Sequence, residues 1–330
     1  MAGDAVVVRW VPLRLSALVS APACLAGWCS VTADLPLLGF GVPVSGSWAT
    51  PDTMQHLARR AEDLGYASLW TFQRMLDPVG AGLGPSHRSV HDPVVTLAHV
   101  AAHTDRIGLG TATLCAPFTP PPVLAKTLTS LDVLSGGRLT VGLGIGRLRQ
   151  EYTAAGVPFE RRGARMDEYL RCLQALRTQD PVEFAGEFYT VPRSHVGPAP
   201  VQRPHPPVLL GGTAIPALRR AGRLAQGWIA SSRHDPADLA SSIDTVRAGA
   251  REVGRDPDAC GSSSAAWSTS SRTRRVGGDG RCTARATRSS TTSRCWVPRA
   301  SPRSSSISIS PRGSVLDRAE RVLDAFAPGR

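Results

Sequence analysis

RIGLGTATLCAPFTPPPVLAKTLTSLDVLSGGRLTVGLGIGRLRQE, residues 106–151, is the stretch whose reading decides the fold. From Ile107 to Leu114 apolar residues alternate with small ones, the pattern of a strand. Pro117, Pro120, Pro121 and Pro122 then end the pairing, because proline has no amide donor. Val123, Leu124, Thr127, Leu128, Leu131 and Leu134 recur at three- and four-residue intervals, which predicts a helix, and Gly136-Gly137 supply its C-terminal turn. Leu139–Leu143 is a short apolar run ended by Gly144 and Gly146, as in a strand covered on both faces. The whole is one βαβ unit. Its glycines let a flat ring or an anion approach the backbone. They do not make a dinucleotide fingerprint, since Arg149 stands where the third glycine belongs.

Read on to Leu170, with GVPFERRGARMDEYL following, this block resembles the bacterial luciferase-like oxidoreductases, including the subgroup that uses the deazaflavin coenzyme F420. The helix end LDVLSGGRL, the G-x-G strand end, Glu151 and the tail occur together and in order. The resemblance implies an α/β TIM (β/α)8 barrel with the cofactor across the C-terminal strand ends, and hydride transfer to or from a small organic substrate. An FMN-dependent monooxygenase on the same barrel is the alternative, and an inactive cofactor-binding barrel the second. It further implies a bulged strand end at Ala112-Thr113, with a non-proline cis peptide, against the central ring. Gly144, Ile145 and Gly146 would line the ring edge, with Ser45 and Trp70 also on the cofactor. A relative acting on a phosphosugar has Glu where this chain has Arg147, so a sugar-phosphate substrate is not expected.

The rest of the chain reads as a barrel from Leu37 onward. A strand from Leu37 leads to the loop Ser45–Trp48, Pro51 opens a helix ending at Gly65, and Ala67–Phe72 is the second strand. Its end, Trp70 to Arg74, faces the catalytic side, since functional groups in this fold come from C-terminal strand ends. Trp70 serves there or in core packing, and Gln73 and Arg74 stand where the family often has an acidic or histidine pair. The Gly- and Pro-rich loop 77–91 holds His87 and His91; His87 joins Trp70 and Gln73 as catalytic candidates. His99 and His103 lie four apart on one helix, but no HExxH glutamate accompanies them, and no metal site is expected. Residues 180–207 read as an insertion of short strands and proline-ordered loop. Val208–Leu210, then Gly211-Gly212-Thr213, then a helix, can hold a phosphate on bare amides beside a helix N-terminus, with a simple tight turn as the alternative.

Both ends of the chain depart from this pattern. Residues 1–36 contain a weak signal-like run, interrupted by Pro22 and preceded by Asp4, and are expected to lie outside the fold as a translated upstream stretch. The barrel proper is expected over 37–259. Residues 260–312 contain no Leu or Glu but fifteen Ser and ten Arg, a composition that cannot bury a core; it reads as a frame-shifted segment that would damage the strand-8 region, with a natural Ser/Arg-rich linker as the alternative. A helix returns over 313–330. That Arg-rich segment carries most of the net charge of +12, so the barrel is near neutral and no nucleic-acid partner is expected. No membrane partner is expected either. Seven cysteines without a CxxC pair suggest neither disulfides nor a zinc ribbon, and a reducing cytoplasm is the expected location. By analogy with relatives the chain would be a homodimer.

Overall fold

The computed structural model describes residues 6–11, 37–231, 234–267 and 314–328. Seven strands run parallel in a curled sheet: β2 (Leu37–Gly41), β3 (Ser68–Thr71), β4 (Gly108–Thr111), β6 (Leu139–Gly144), β9 (Val208–Gly211), β10 (Gly227–Ala230) and β11 (Gly261–Trp267). The short β5 (Leu114–Cys115) continues β4 along β6. Helices α1 (Pro51–Asp63), α2 (Pro93–Ala101), α3 (Pro121–Leu134), α4 (Arg149–Ala154), α5 (Arg162–Thr178), α6 (Ile215–Leu224) and α7 (Leu239–Arg251) fill the connections. A two-stranded antiparallel hairpin, β7 (Val182–Ala185) and β8 (Thr190–Ser194), forms the insertion read from the sequence.

The N-terminal segment departs from expectation. Residues Val6–Val11 form β1, which pairs antiparallel with β2 on one side and with β11 on the other. Because β4 also pairs with β6, the pairings run round a ring of eight strands, with β1 where an eighth parallel strand would stand. The correction has a physical reason. Without an eighth parallel strand, β2 and β11 present unpaired edges, and Val6-Val7-Val8 is a β-branched run suited to pairing with both. The Ser/Arg-rich segment beyond Trp267 and the frameshift reading of it lie outside the described residues.

Alternation along the strands separates two cores. Phe40, Leu69, Leu109, Val141, Leu143, Leu210 and Trp228 pack outward against the helices. Inside the ring, Trp70, Leu209 and Ile229 form a second cluster with Ala112. Its size is set by glycine: a Cβ at Gly39 would lie 2.6 Å and one at Gly110 2.4 Å from the Trp70 indole. The strands flanking β3 thus leave the lumen to one large side chain.

Three carboxylates tie distant loops to this frame. Asp132, fully buried on α3, accepts from the Val201 and Gln202 amides at 2.7 and 3.1 Å. Glu168 on α5 accepts from Phe188 and Tyr189 amides, both at 2.7 Å. Glu62 on α1 accepts from the Asp105, Arg106 and Ile107 amides at the entry to β4. Arg138, in the SGGRL turn, does the converse, donating to carbonyls of Ala101, Thr104, Ile107 and Ser135. Helix α8 (Val315–Ala325) closes against α1 through Arg60–Asp324 at 2.7 Å and the Tyr66 hydroxyl donating to Leu323 O at 2.9 Å.

Glu62 gives a pH-dependent expectation. Burial alone would raise its carboxyl, but the three backbone donors outweigh burial and hold it below the ordinary value. A depressed folded pKa contributes stability that is complete above the unfolded carboxylate pKa and is lost as pH falls through the folded one. Thermal melts of wild type and Glu62→Gln should therefore differ near neutrality, and the difference should shrink only as the pH falls below the ordinary glutamate value and through the depressed one. A gap of constant size across that range would remove this assignment.

Candidate functional site

The C-terminal strand ends carry a one-residue irregularity at the position read as a bulge. Leu109 pairs with Leu139 and Gly110 with Thr140, whereas Leu114 pairs with Leu143, so the β4–β5 strand holds one residue more than β6 across the gap. Within the gap, the Ala112–Thr113 peptide is cis, as the resemblance implies. Thr111 replaces the lost ladder: its hydroxyl donates to Gly142 O and accepts from Gly142 N, both at 2.9 Å.

The bulge brings several of the sequence candidates together. A Cβ at Gly144 would stand 2.8 Å from Thr113 Oγ1, and one at Gly211 3.1 Å from Thr113 Cγ2. Thr113 therefore sits against glycines from both β6 and β9. Gly212, at φ +132°, and the exposed Thr213 lead into α6, whose N-cap Ala214 makes no side-chain cap. Of the first three positions of that helix only Ile215 offers an amide, because Pro216 has none and Ala217 N donates to Ala214 O at 2.8 Å, and Trp228 Nε1 fixes the turn by donating to Gly212 O at 2.7 Å. Bare amides, missing side chains and an uncapped helix start fit a phosphate-bearing flat cofactor.

Other candidates are placed elsewhere. Trp70 is 5% exposed in the lumen and its Nε1 donates to Ser68 Oγ at 2.8 Å. Ala112 touches the same lumen cluster. Ile145 turns its side chain into the outer core, and its carbonyl accepts from the Tyr152 hydroxyl. Gly146, at φ +72°, has Phe118, Cys115 and Tyr152 against it, so its left-handed backbone and these neighbours account for a glycine there. Ser45 bridges to Val90 and so joins the β2 loop to the β3–α2 loop. His87 is half-buried near Phe72, its ring centroid 6.0 Å away, and His91 is spent on Ala49 O at 3.0 Å. Gln73 supports the bulge, its Oε1 accepting from Cys115 N at 2.6 Å. The His99 and His103 rings lie 4.7 Å apart and tilted by 56°, and no group of potential metal ligands occurs among the described residues.

Sequence reasoning assigned no role to the pair that organises this end of the barrel. Glu151, 1% exposed at the start of α4, accepts from Arg74 Nη1 at 2.9 Å and from the Met75 and Leu76 amides at 3.0 and 3.3 Å. It thereby ties the loop after β3 to the end of β6. The sequence signals were Glu151's place in the quoted block and Arg74's place at the end of the second strand. Cys115 lies close by; burial, reinforced by the charge of Glu151 and opposed by Arg74, pushes its thiol up to about 12. At neutral pH it is a protonated thiol rather than a nucleophile. Iodoacetamide at about pH 8 should leave Cys115 unmodified in the native chain and label it in denaturant, as read by peptide mass spectrometry. Native labelling at the denatured rate would contradict this placement. Beside these residues a cavity of about 440 Å³ runs between α2 and α3, with Gln73, Leu114 and Cys115 at one end. It adjoins the bulge from outside the ring and is not the glycine-lined mouth.

Fold and site together define a barrel whose C-terminal strand ends gather glycines from β6 and β9 around Thr113. Residues 34–275 match the family described as luciferase-like monooxygenase, and the chain belongs to that family. It is 39% identical over 161 residues to an uncharacterised protein of Mycobacterium tuberculosis, covering 49% of this chain and 54% of that one. An FMNH(2)-dependent dimethylsulfone monooxygenase of Pseudomonas putida is 30% identical over 207 residues, 62% of this chain and 54% of the relative. Thus the chain spans little more than half the length of these curated relatives. Among solved structures, the monooxygenase RslO1 from Streptomyces bottropensis superposes with a TM-score of 0.57 at 28% identity, over 66% of this chain and 67% of that one. No described helix is long and apolar enough to cross a membrane.

Proposed function

We propose that this chain is an oxidoreductase that transfers a hydride between coenzyme F420 and a small organic substrate. The observation that carries the reading is the convergence of Thr113, Gly144 and Gly211 beside the uncapped start of α6. Gly211, Gly212 and Thr213 would hold the cofactor phosphate, and the Ala112-Thr113 bulge would support its ring. The deazaflavin, when bound, supplies the hydride chemistry; the chain places it and shields it from water. An F420-dependent glucose-6-phosphate dehydrogenase of Amycolatopsis mediterranei, 29% identical over 59% of this chain and 58% of its own length, supports the choice of cofactor. The second reading, an FMN-dependent monooxygenase, is favoured by the Pseudomonas relative. Location in the cytoplasm and assembly as a homodimer belong to the same proposal.

Parallel fluorescence titrations with F420 and FMN test it. F420 should bind more tightly, and Gly212→Val should weaken binding by about tenfold or more, since Gly212 has φ +132° and a Cβ there would lie 2.8 Å from Ala217 Cβ. Preferential FMN binding would replace the first reading with the second. Binding of neither by the folded chain would overturn both, and tight binding without turnover on any substrate would leave a cofactor-binding barrel.

A further inference from the structure

We infer that Arg74, locked by Glu151, is the group that anchors the substrate, and that the substrate carries an oxyanion, a carboxylate or a phosphate ester. This rests on the reading of the strand ends as the catalytic mouth. The pair is nearly enclosed, with side chains 13% and 2% exposed. A buried ion pair contributes little net stability, because desolvation offsets the attraction, so its place in this barrel calls for another reason. Arg74 follows the end of β3 by three residues, and Glu151 opens α4 beyond the end of β6, so the salt bridge spans the strand ends on either side of the bulge. Glu151 has both oxygens occupied, by Arg74 Nη1 and by two loop amides. Among the described residues Arg74 Nε is enclosed without a partner, whereas Nη2 has no hydrogen-bond partner and is not among the enclosed unpaired atoms. A guanidinium fixed through one nitrogen thus offers its other outer edge, the geometry that receives a carboxylate or phosphate oxygen.

The charge around it points the same way. Acids on the adjoining loop are already engaged, Asp77 by Arg88 at 3.2 Å and Asp92 by the Val94 and Val95 amides at 2.9 Å. Arg147, exposed just after Gly146, has no hydrogen-bond or ion-pair partner among the described residues and adds a second positive charge near the β6 end. Glu151 is a positioning residue in this arrangement; it holds Arg74 and does not itself meet substrate.

The test is a ligand-observed NMR titration of the full chain with benzoate, phenyl phosphate and benzyl alcohol as the neutral isostere. Benzoate or phenyl phosphate should bind at least about tenfold more tightly than the alcohol. Arg74→Met/Glu151→Leu, which removes both charges together and avoids a buried unpaired one, should abolish that preference. Arg74→Lys, which keeps the charge and loses the planar fork, should retain part of it. Whichever anion binds more tightly identifies the oxyanion. Gly212→Val separates this site from the phosphate loop: benzoate binding lost in that variant but not in the double variant would overturn the proposal, as would equal binding of anion and alcohol to wild type. Failure of F420 and FMN to bind while the Arg74-dependent preference persists would sink the cofactor reading and leave this one standing.

Discussion

Gly142→Ala is expected to destabilise the barrel by more than about 3 kcal/mol and to lower its melting temperature by roughly 6–12 °C. A Cβ at Gly142 would lie 1.9 Å from Thr111 O and 2.6 Å from Ile229 Cδ1. The first neighbour is backbone, and it cannot withdraw without moving β4 away from β6. Those strands are held here by the two Thr111–Gly142 hydrogen bonds that stand in for the ladder. Gly144→Ala makes the contrast, because its Cβ would meet only the rotatable Thr113 side chain at 2.8 Å. Its effect should fall on cofactor affinity far more than on melting. Circular dichroism melts of the two variants decide the matter; a Gly142→Ala melt within 2 °C of wild type would mean that the wall between β4 and β6 is not packed as described.

That wall shows what the sequence could and could not reveal. The βαβ unit was legible because its apolar period changes from two to three-and-four and is punctuated by Pro and Gly. The structure gives α3 as Pro121–Leu134 and β6 as Leu139–Gly144, close to those limits. Candidate residues clustered where strand ends were recognised: Thr113, Gly144 and Gly211 meet. Which face each strand residue takes was not legible, since a strand covered on both sides shows no alternation between apolar and polar. Trp70 consequently read as well for the mouth as for the lumen, and the glycines beside it, Gly39 and Gly110, carried no visible reason. The carboxylate ties were hidden for a different reason. Glu62 meets residues 105–107 and Asp132 meets residues 201 and 202, partners separated by tens of positions that no local pattern records. β1 was missed because a short valine run acquires its meaning only from the two open edges the remaining strands leave.

Glu151→Leu should cost about 3–5 kcal/mol, more than removing the pair as a whole. Leucine fills much of the space but strands the Arg74 guanidinium, 13% exposed, together with the Met75 and Leu76 amides. Arg74 must then reach solvent, and the loop following β3 must move with it. In the double variant Arg74→Met/Glu151→Leu no charge is left behind, and only the two amides lose their acceptor, so stability should return part of the way toward wild type. Denaturant unfolding of the four members of the cycle gives the coupling directly. A coupling energy near zero would mean that the two side chains contribute independently, and Glu151 would then act on the loop amides alone. A large coupling, accompanied by faster tryptic cleavage after Arg74 in Glu151→Leu, would tie the order of the β3–α2 loop to this one carboxylate. The same residue would then hold the loop over the barrel's mouth and fix the cation beside it, so that loss of Glu151 should weaken the fold and the selectivity for anionic ligands together.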